Sequence, residues 1–130
     1  MKTDYLKAKA MANETLTKYV DRSPLSILES IDGVRVMSFQ EMSDITNVQR
    51  DRLIGMFGNG DIDAITTVYV CGKKLRYAVA YDKTKSQEEK DFALARELGH
   101  IILEHDGSKP EEVRNEEAVC FAHHLLNERI

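Results

Sequence analysis

Two adjacent strand-like segments constrain the fold of this sequence more than any other feature. Residues Ala64–Cys71 are rich in Ile, Thr, Val and Tyr, and residues Leu75–Tyr81 alternate between apolar and polar side chains. The intervening Gly72-Lys73-Lys74 can reverse the chain, so the pattern predicts a β-hairpin. Helices are predicted on both sides of this hairpin, which favours an α+β fold over a doubly wound parallel sheet.

Apolar residues at helical spacing predict helices over most of the remaining chain. Ser23-Pro24 and Ser86 with Glu89 are typical helix starts. In chain order, the predicted elements are a helix over 2–20, a short helix over Pro24–Ile31, a strand over Val34–Met37, a weak helix over Gln40–Met56, a turn over Gly55–Gly60, the hairpin, a long helix from near Ser86 through Leu103, a loop over Asp106–Pro110 and a helix over Glu111–Asn127. We therefore expect helices around a small three-stranded antiparallel sheet.

Length and composition predict one soluble domain. The chain has 130 residues, 42% of them hydrophobic and 31% charged, which is typical of a single domain, here 1–130. No apolar run approaches the roughly 18 residues of a membrane helix, and the N-terminus lacks a signal-peptide pattern. Cys71 and Cys120 are therefore expected to be reduced thiols in the cytoplasm. The net charge of −4 argues against direct binding to nucleic acid.

One segment carries most of the chemical signal. All four histidines lie at or beyond position 100, and Arg96-Glu97-Leu98-Gly99-His100 nearly matches the zinc-binding pattern His-Glu-x-x-His. In that pattern, two imidazoles one helical turn apart bind the metal, and the glutamate acts as general base on a metal-bound water. Glu97 and His100 occupy their positions in the pattern, whereas Arg96 stands where the first histidine belongs.

A carboxylate from a second helix commonly completes such a site. Glu117 lies at the edge of the apolar stripe predicted for the last helix, whereas Glu116 lies roughly opposite and is expected to face water. Glu117 is therefore the better ligand candidate. His124 shares a face with Glu117 and is a more plausible substitute for the missing third ligand than His105.

Arg96 and His105 are expected to line the same site. A guanidinium has no lone pair for a metal, so Arg96 is predicted to replace the metal electrostatically by pairing with Glu97 or Glu117. His105 would lie about 140° around a continuing helix from His100. We therefore expect its ring to interact with helix-end carbonyls rather than with a metal.

The stretch Phe92–His100 with Leu103 and His105, followed by Glu117-Ala118, Phe121-Ala122 and Leu125-Leu126, resembles the ImmA/IrrE metallo-endopeptidase family. The resemblance extends over most of the chain. It implies a minimal zincin-like fold with Zn²⁺ as cofactor, His100 and Glu117 as metal ligands and Glu97 as general base. Members of this family are cytoplasmic, are often carried by phages or mobile elements, and act on a helix-turn-helix repressor, which implies a protein partner of that kind.

Three functions remain open at this point. Arg96 favours a pseudopeptidase that has lost zinc and acts by binding the repressor. The alternative is an active zinc endopeptidase that cleaves that repressor. A small DNA-binding regulator built on the Ile45–Phe57 segment is a third hypothesis, which the acidic charge balance opposes.

Overall fold

The computed structural model describes residues 2–21, 23–57, 63–105 and 108–128. Within these ranges the chain forms α1 (Tyr5–Lys18), α2 (Pro24–Ser30), β1 (Val34–Ser38), α3 (Phe39–Thr46), α4 (Arg50–Phe57), β2 (Ala64–Cys71), β3 (Lys74–Tyr81), α5 (Gln87–Ile102) and α6 (Glu111–Glu128). Ser23, Ser38 and Ser86 each accept a hydrogen bond from a backbone N–H in the first turn of the helix that follows. These caps satisfy donors that would otherwise have no partner within the helix.

The sheet is mixed, with the strand order β1-β3-β2. β2 and β3 pair antiparallel, from Ala64 opposite Tyr81 to Cys71 opposite Lys74, so the predicted hairpin is confirmed. β1 runs parallel to β3, and the prediction of a fully antiparallel sheet is therefore wrong. The chain travels through α3, α4 and β2 between these two strands, which supplies the long crossover that a parallel pair requires.

The weak helix predicted over 40–56 is in fact two helices, α3 and α4. Asn47 follows α3 in the left-handed conformation, with a φ of 57°, which ends the helix because asparagine tolerates this conformation better than most residues. Of the predicted turn over 55–60, Gly55 belongs to α4, and residues 58–60 lie outside the described residues. Residues 106 and 107 of the predicted loop also lie outside them.

The sheet separates two hydrophobic cores. The larger core lies between one face of the sheet and helices α1, α2, α5 and α6, and it includes Val79 of β3. The smaller core lies under α3 and α4 and includes the neighbouring Ala78 and Ala80, as the alternation of side chains along a strand requires. The α+β prediction is thus confirmed. None of the described helices combines the length and apolar character needed to cross a bilayer.

Helices α5 and α6 approach each other closely at Gly99. A Cβ atom at this position would lie 3.0 Å from Cδ1 and 3.2 Å from Cβ of Phe121, which is closer than normal packing allows. Any larger residue there would require Phe121 to move by a few tenths of an ångström. This contact holds the C-terminal part of α5, which carries Glu97 and His100, against α6, which carries Glu117.

Candidate functional site

Glu117 is a deeply buried ionisable residue of the site, with 2% of its surface exposed. The backbone N–H of Asp4 donates a hydrogen bond of 2.7 Å to its Oε2 atom. The Lys109 ammonium lies 2.9 Å from Oε1 and 3.0 Å from Oε2. His105 Nε2 lies 2.8 Å from Oε1. Burial raises the pKa of Glu117, but these hydrogen bonds and the charge of Lys109 outweigh burial and lower the pKa to about 2.

The orientation of the two glutamates follows the helical periodicity of α6. Glu117 is buried beside Ala118, whereas Glu116 is exposed and accepts hydrogen bonds from Thr3 and Tyr5. The prediction that Glu117 faces inward and Glu116 faces outward is confirmed.

His105 connects Glu117 to His100. Its Nδ1 atom lies 2.8 Å from Nδ1 of His100, and its Nε2 atom lies against Glu117. An ionised carboxylate can only accept, so His105 Nε2 is the donor in that hydrogen bond. Burial lowers the pKa of His105, against the opposing effect of Glu117, and lowers that of His100 to about 4, which favours the neutral form of both rings. In that form, His105 Nδ1 accepts from His100 Nδ1, and Nε2 of His100 keeps its lone pair.

The expectation that the His105 ring interacts with helix-end carbonyls is wrong. Helix α5 ends at Ile102, and Glu104 adopts a positive φ of 55°. This left-handed residue turns the chain back toward the site, and the His105 backbone N–H donates to the His100 carbonyl at 3.0 Å. The turn moves the ring away from the position that a continuing helix would give it, and the ring therefore contacts the side chains of His100 and Glu117.

Glu97 is also buried, with 6% of its surface exposed, but its environment differs from that of Glu117. Thr66 Oγ1 of β2 donates a hydrogen bond of 2.6 Å to Glu97 Oε2. One guanidinium nitrogen of Arg96 lies 3.9 Å from Oε1, which is beyond hydrogen-bond distance. Burial raises the pKa of Glu97, against the opposing effects of Thr66 and Arg96.

The cation that pairs with Glu117 is Lys109, not Arg96. The predicted contact of Arg96 is therefore limited to Glu97. Lys109 was not predicted as a site residue, because it lies in a connecting loop where no apolar periodicity indicates which way a side chain points. Thr66 was missed for a related reason, since strand alternation shows its face but not the helix packed on it.

Several of these side chains line one cleft of about 680 Å³. Its walls come from α5 and the turn after it, from α6 and from the hairpin, and they include Arg96, Glu97, His100, His105, Glu111, Arg114, Thr66, Val68 and Tyr77. Glu117 lies behind His105 rather than on the wall. His124 lines a separate surface pocket with Tyr5 and Glu116, so the structure does not bring it to the cleft.

The donor groups of the cleft do not fit the usual three-ligand zinc site. Glu117 is already hydrogen-bonded to Lys109 and His105, both His105 nitrogens are engaged, and Arg96 has no lone pair. His100 Nε2 and Glu97 are the remaining donors of the predicted set, against three protein ligands in catalytic zinc sites. In the ranges that the structure covers, no three His, Cys, Asp or Glu side chains are grouped to hold a metal ion.

Comparison with known proteins gives one match. A family model for a peptidase family, described as the IrrE N-terminal-like domain, matches residues 35–128. The matched region runs from β1 to α6 and contains every cleft residue described above. No curated protein and no solved structure matches the chain.

Proposed function

We propose that this chain, which belongs to the ImmA/IrrE family and has its minimal zincin-like metallopeptidase fold, is a pseudopeptidase. In this proposal the domain keeps the cleft of the family and binds a helix-turn-helix repressor. It sequesters or positions the repressor and leaves the polypeptide uncut. The repressor as partner, a phage or mobile element as origin and the cytoplasm as location are parts of the proposal that come from the family resemblance.

The hydrogen bonding of Glu117 is the observation that carries the proposal. A carboxylate that serves as a metal ligand must direct a lone pair at the metal. Here one oxygen accepts from His105 and both lie within 3.0 Å of the Lys109 ammonium. Metal binding would have to displace this ammonium from a buried carboxylate, which costs free energy because paired charges in a low-dielectric site attract strongly.

The positive charge of Arg96, at the first position of the motif, also disfavours metal binding. Arg96 is permanently protonated, and its guanidinium lines the cleft beside Glu97 and His100. Arg114 adds a second permanent cation to the same cleft. Both raise the cost of placing a divalent cation there, since like charges repel.

An active zinc endopeptidase is the second candidate, and Glu97 favours it. This carboxylate lies in the cleft, and burial raises its pKa toward the range that a general acid or base needs. The same burial is also expected of a carboxylate whose catalytic role has been lost, so Glu97 supports the second candidate less strongly than Glu117 supports the first.

Co-expression with a helix-turn-helix repressor separates the two functions. The pseudopeptidase is expected to co-purify with intact repressor, both with added zinc and after treatment with a chelator. Glu97→Gln is expected to leave the repressor intact, as is the control Glu88→Gln, an exposed carboxylate on the same helix. Repressor fragments that need zinc and disappear with Glu97→Gln, but not with Glu88→Gln, would establish the endopeptidase instead.

A further inference from the structure

Arg114 is a cation in the cleft that forms no ion pair with any residue the structure describes. Its Nε atom is buried and makes no hydrogen bond in the part of the chain that the structure covers. Glu111, one helical turn earlier, also lines the cleft but forms no ion pair with Arg114 among the described residues. A buried N–H donor without an acceptor is unfavourable, so this atom points to a ligand that supplies the missing acceptor.

Arg96 offers a second guanidinium to the same space. Its side chain is 30% exposed, and its only carboxylate contact among the described residues is the 3.9 Å approach to Glu97. The Oε2 atom of Glu97 accepts from Thr66, so Arg96 does not form a two-bond pair with this carboxylate. Most of its five N–H donors therefore remain available.

No carboxylate among the described residues forms a hydrogen bond with either guanidinium. Glu117 lies behind the wall, and its charge is matched by the Lys109 ammonium. His100 and His105, which lie between the arginines and Glu117, are hydrogen-bonded to each other. The cleft is thus lined by two guanidinium groups and, in equal number, by two carboxylates, Glu97 and the exposed Glu111, with Arg96 no closer than 3.9 Å to Glu97.

An apolar wall adjoins the two arginines. Val68, which is 56% exposed, lies opposite Tyr77 in the hairpin, and both line the cleft. The next pair on the same face of the hairpin is Val70 and Leu75, which are 69% and 58% exposed. Exposed apolar side chains beside a polar pocket are typical of a surface that binds a protein.

We propose that Arg96 and Arg114 form a carboxylate-binding site for an acidic side chain of a partner protein, in a segment whose flanking apolar residues pack on Val68 and Tyr77. Arginine suits this role because its planar fork can form two parallel hydrogen bonds to one carboxylate. This inference rests on the proposed binding function and adds the chemistry that the partner must present.

A pair of capped synthetic peptides tests the site. Both have the form Thr-Val-Ile-X-Val-Ile-Thr, with X as glutamate in one and glutamine in the other, and both are titrated into the intact protein by calorimetry. The glutamate peptide is expected to bind at least about tenfold more tightly, which is the range for a hydrogen-bonded charged group. Arg96→Gln and Arg114→Gln are each expected to remove most of this difference.

Matched variants separate recognition from general damage. Arg52→Gln changes an exposed arginine on α4 and is expected to leave the preference for glutamate unchanged. Val68→Thr is expected to weaken both peptides alike, whereas Ile45→Thr, on α3 and equally 56% exposed, is expected to weaken neither. Circular dichroism shows whether each variant is folded.

Equal affinity for the two peptides, no binding of either, or a preference that survives both arginine substitutions would overturn the proposal. Inorganic phosphate is titrated in parallel. Arginine-dependent phosphate binding without peptide binding would show a site for free anions and would also overturn it.

Zinc content is measured on the same samples. Stoichiometric zinc contradicts the pseudopeptidase function itself, whereas a failed peptide titration on zinc-free protein contradicts only the carboxylate site.

Discussion

Glu97 and Glu117 are similarly buried, but their pKa values are shifted in opposite directions. Their exposed fractions are 6% and 2%. Glu117 receives hydrogen bonds from Asp4, Lys109 and His105, and its pKa falls to about 2. Glu97 receives one short hydrogen bond, from Thr66, with Arg96 at 3.9 Å, and burial raises its pKa.

The comparison shows that the donors around a buried carboxylate, and not its depth, decide what it can do. Glu117 is an ionised structural group, held by a cation from the loop before α6 and by the start of α1. Glu97 faces the cleft with few fixed donors. The carboxylate at the expected metal-ligand position is thus hydrogen-bonded within the folded framework, while the carboxylate at the expected general-base position lines the cleft.

The largest expected effect is that of Glu117→Ala. This change leaves the Lys109 ammonium, His105 Nε2 and the Asp4 N–H without their acceptor. We expect the free energy of unfolding to fall by about 3–5 kcal/mol, as for a broken buried ion pair. Urea denaturation followed by circular dichroism measures the change.

The neighbouring Glu116→Ala is the control for that variant. Glu116 is exposed and accepts hydrogen bonds from Thr3 and Tyr5, so its loss is expected to cost about 0–1 kcal/mol. Similar losses in the two variants would contradict the contrast between a framework carboxylate and a surface one.

Lys109→Met is expected to have an intermediate effect. Among the described residues, Glu117 loses the ammonium that pairs with it but keeps the hydrogen bonds from Asp4 and His105. We therefore expect the free energy of unfolding to fall by about 1–2 kcal/mol. Lys83→Met, at an exposed lysine, is expected to change stability by less than about 0.5 kcal/mol. If the two variants were equally stable, the ammonium would not be holding Glu117 in its ionised state.

Thr66→Val is expected to have the smallest effect. It removes the hydroxyl donor to Glu97 at nearly constant volume, with an expected loss of about 1 kcal/mol. Thr67→Val is the matched control, because its side chain lies on the other face of β2. An equal or larger loss for Thr67→Val would show that the Thr66 hydrogen bond contributes nothing to holding Glu97.

Sequence patterns predicted those parts of the site that lie within regular helices. The periodicity of α6 distinguished Glu117 from Glu116, because one residue shifts a side chain by about 100° around the axis. The spacing in α5 likewise placed Glu97 and His100 near each other. The same reasoning failed for His105, since a wheel assumes that the helix continues and here it ends at Ile102.

The features that were not predicted depend on chain direction and on irregular backbone. Nothing in the composition of β1 shows whether it runs parallel or antiparallel to β3, because both kinds of strand favour the same β-branched residues. The break at Asn47 depends on one left-handed residue within a helix-like pattern. Lys109 reaches Glu117 from a loop, where tertiary packing alone decides the direction of a side chain.

The central claim is that the ligand position at Glu117 is held by protein cations and donors rather than by a metal. Elemental analysis of the protein, purified without chelator and dialysed after addition of zinc, tests this most directly. We expect zinc far below one ion per chain, and a clear gain in the double variant Arg96→His/Lys109→Met, which supplies an imidazole and frees the Glu117 carboxylate. One zinc ion per chain in the unmodified protein, lost on Glu117→Gln, would contradict the account.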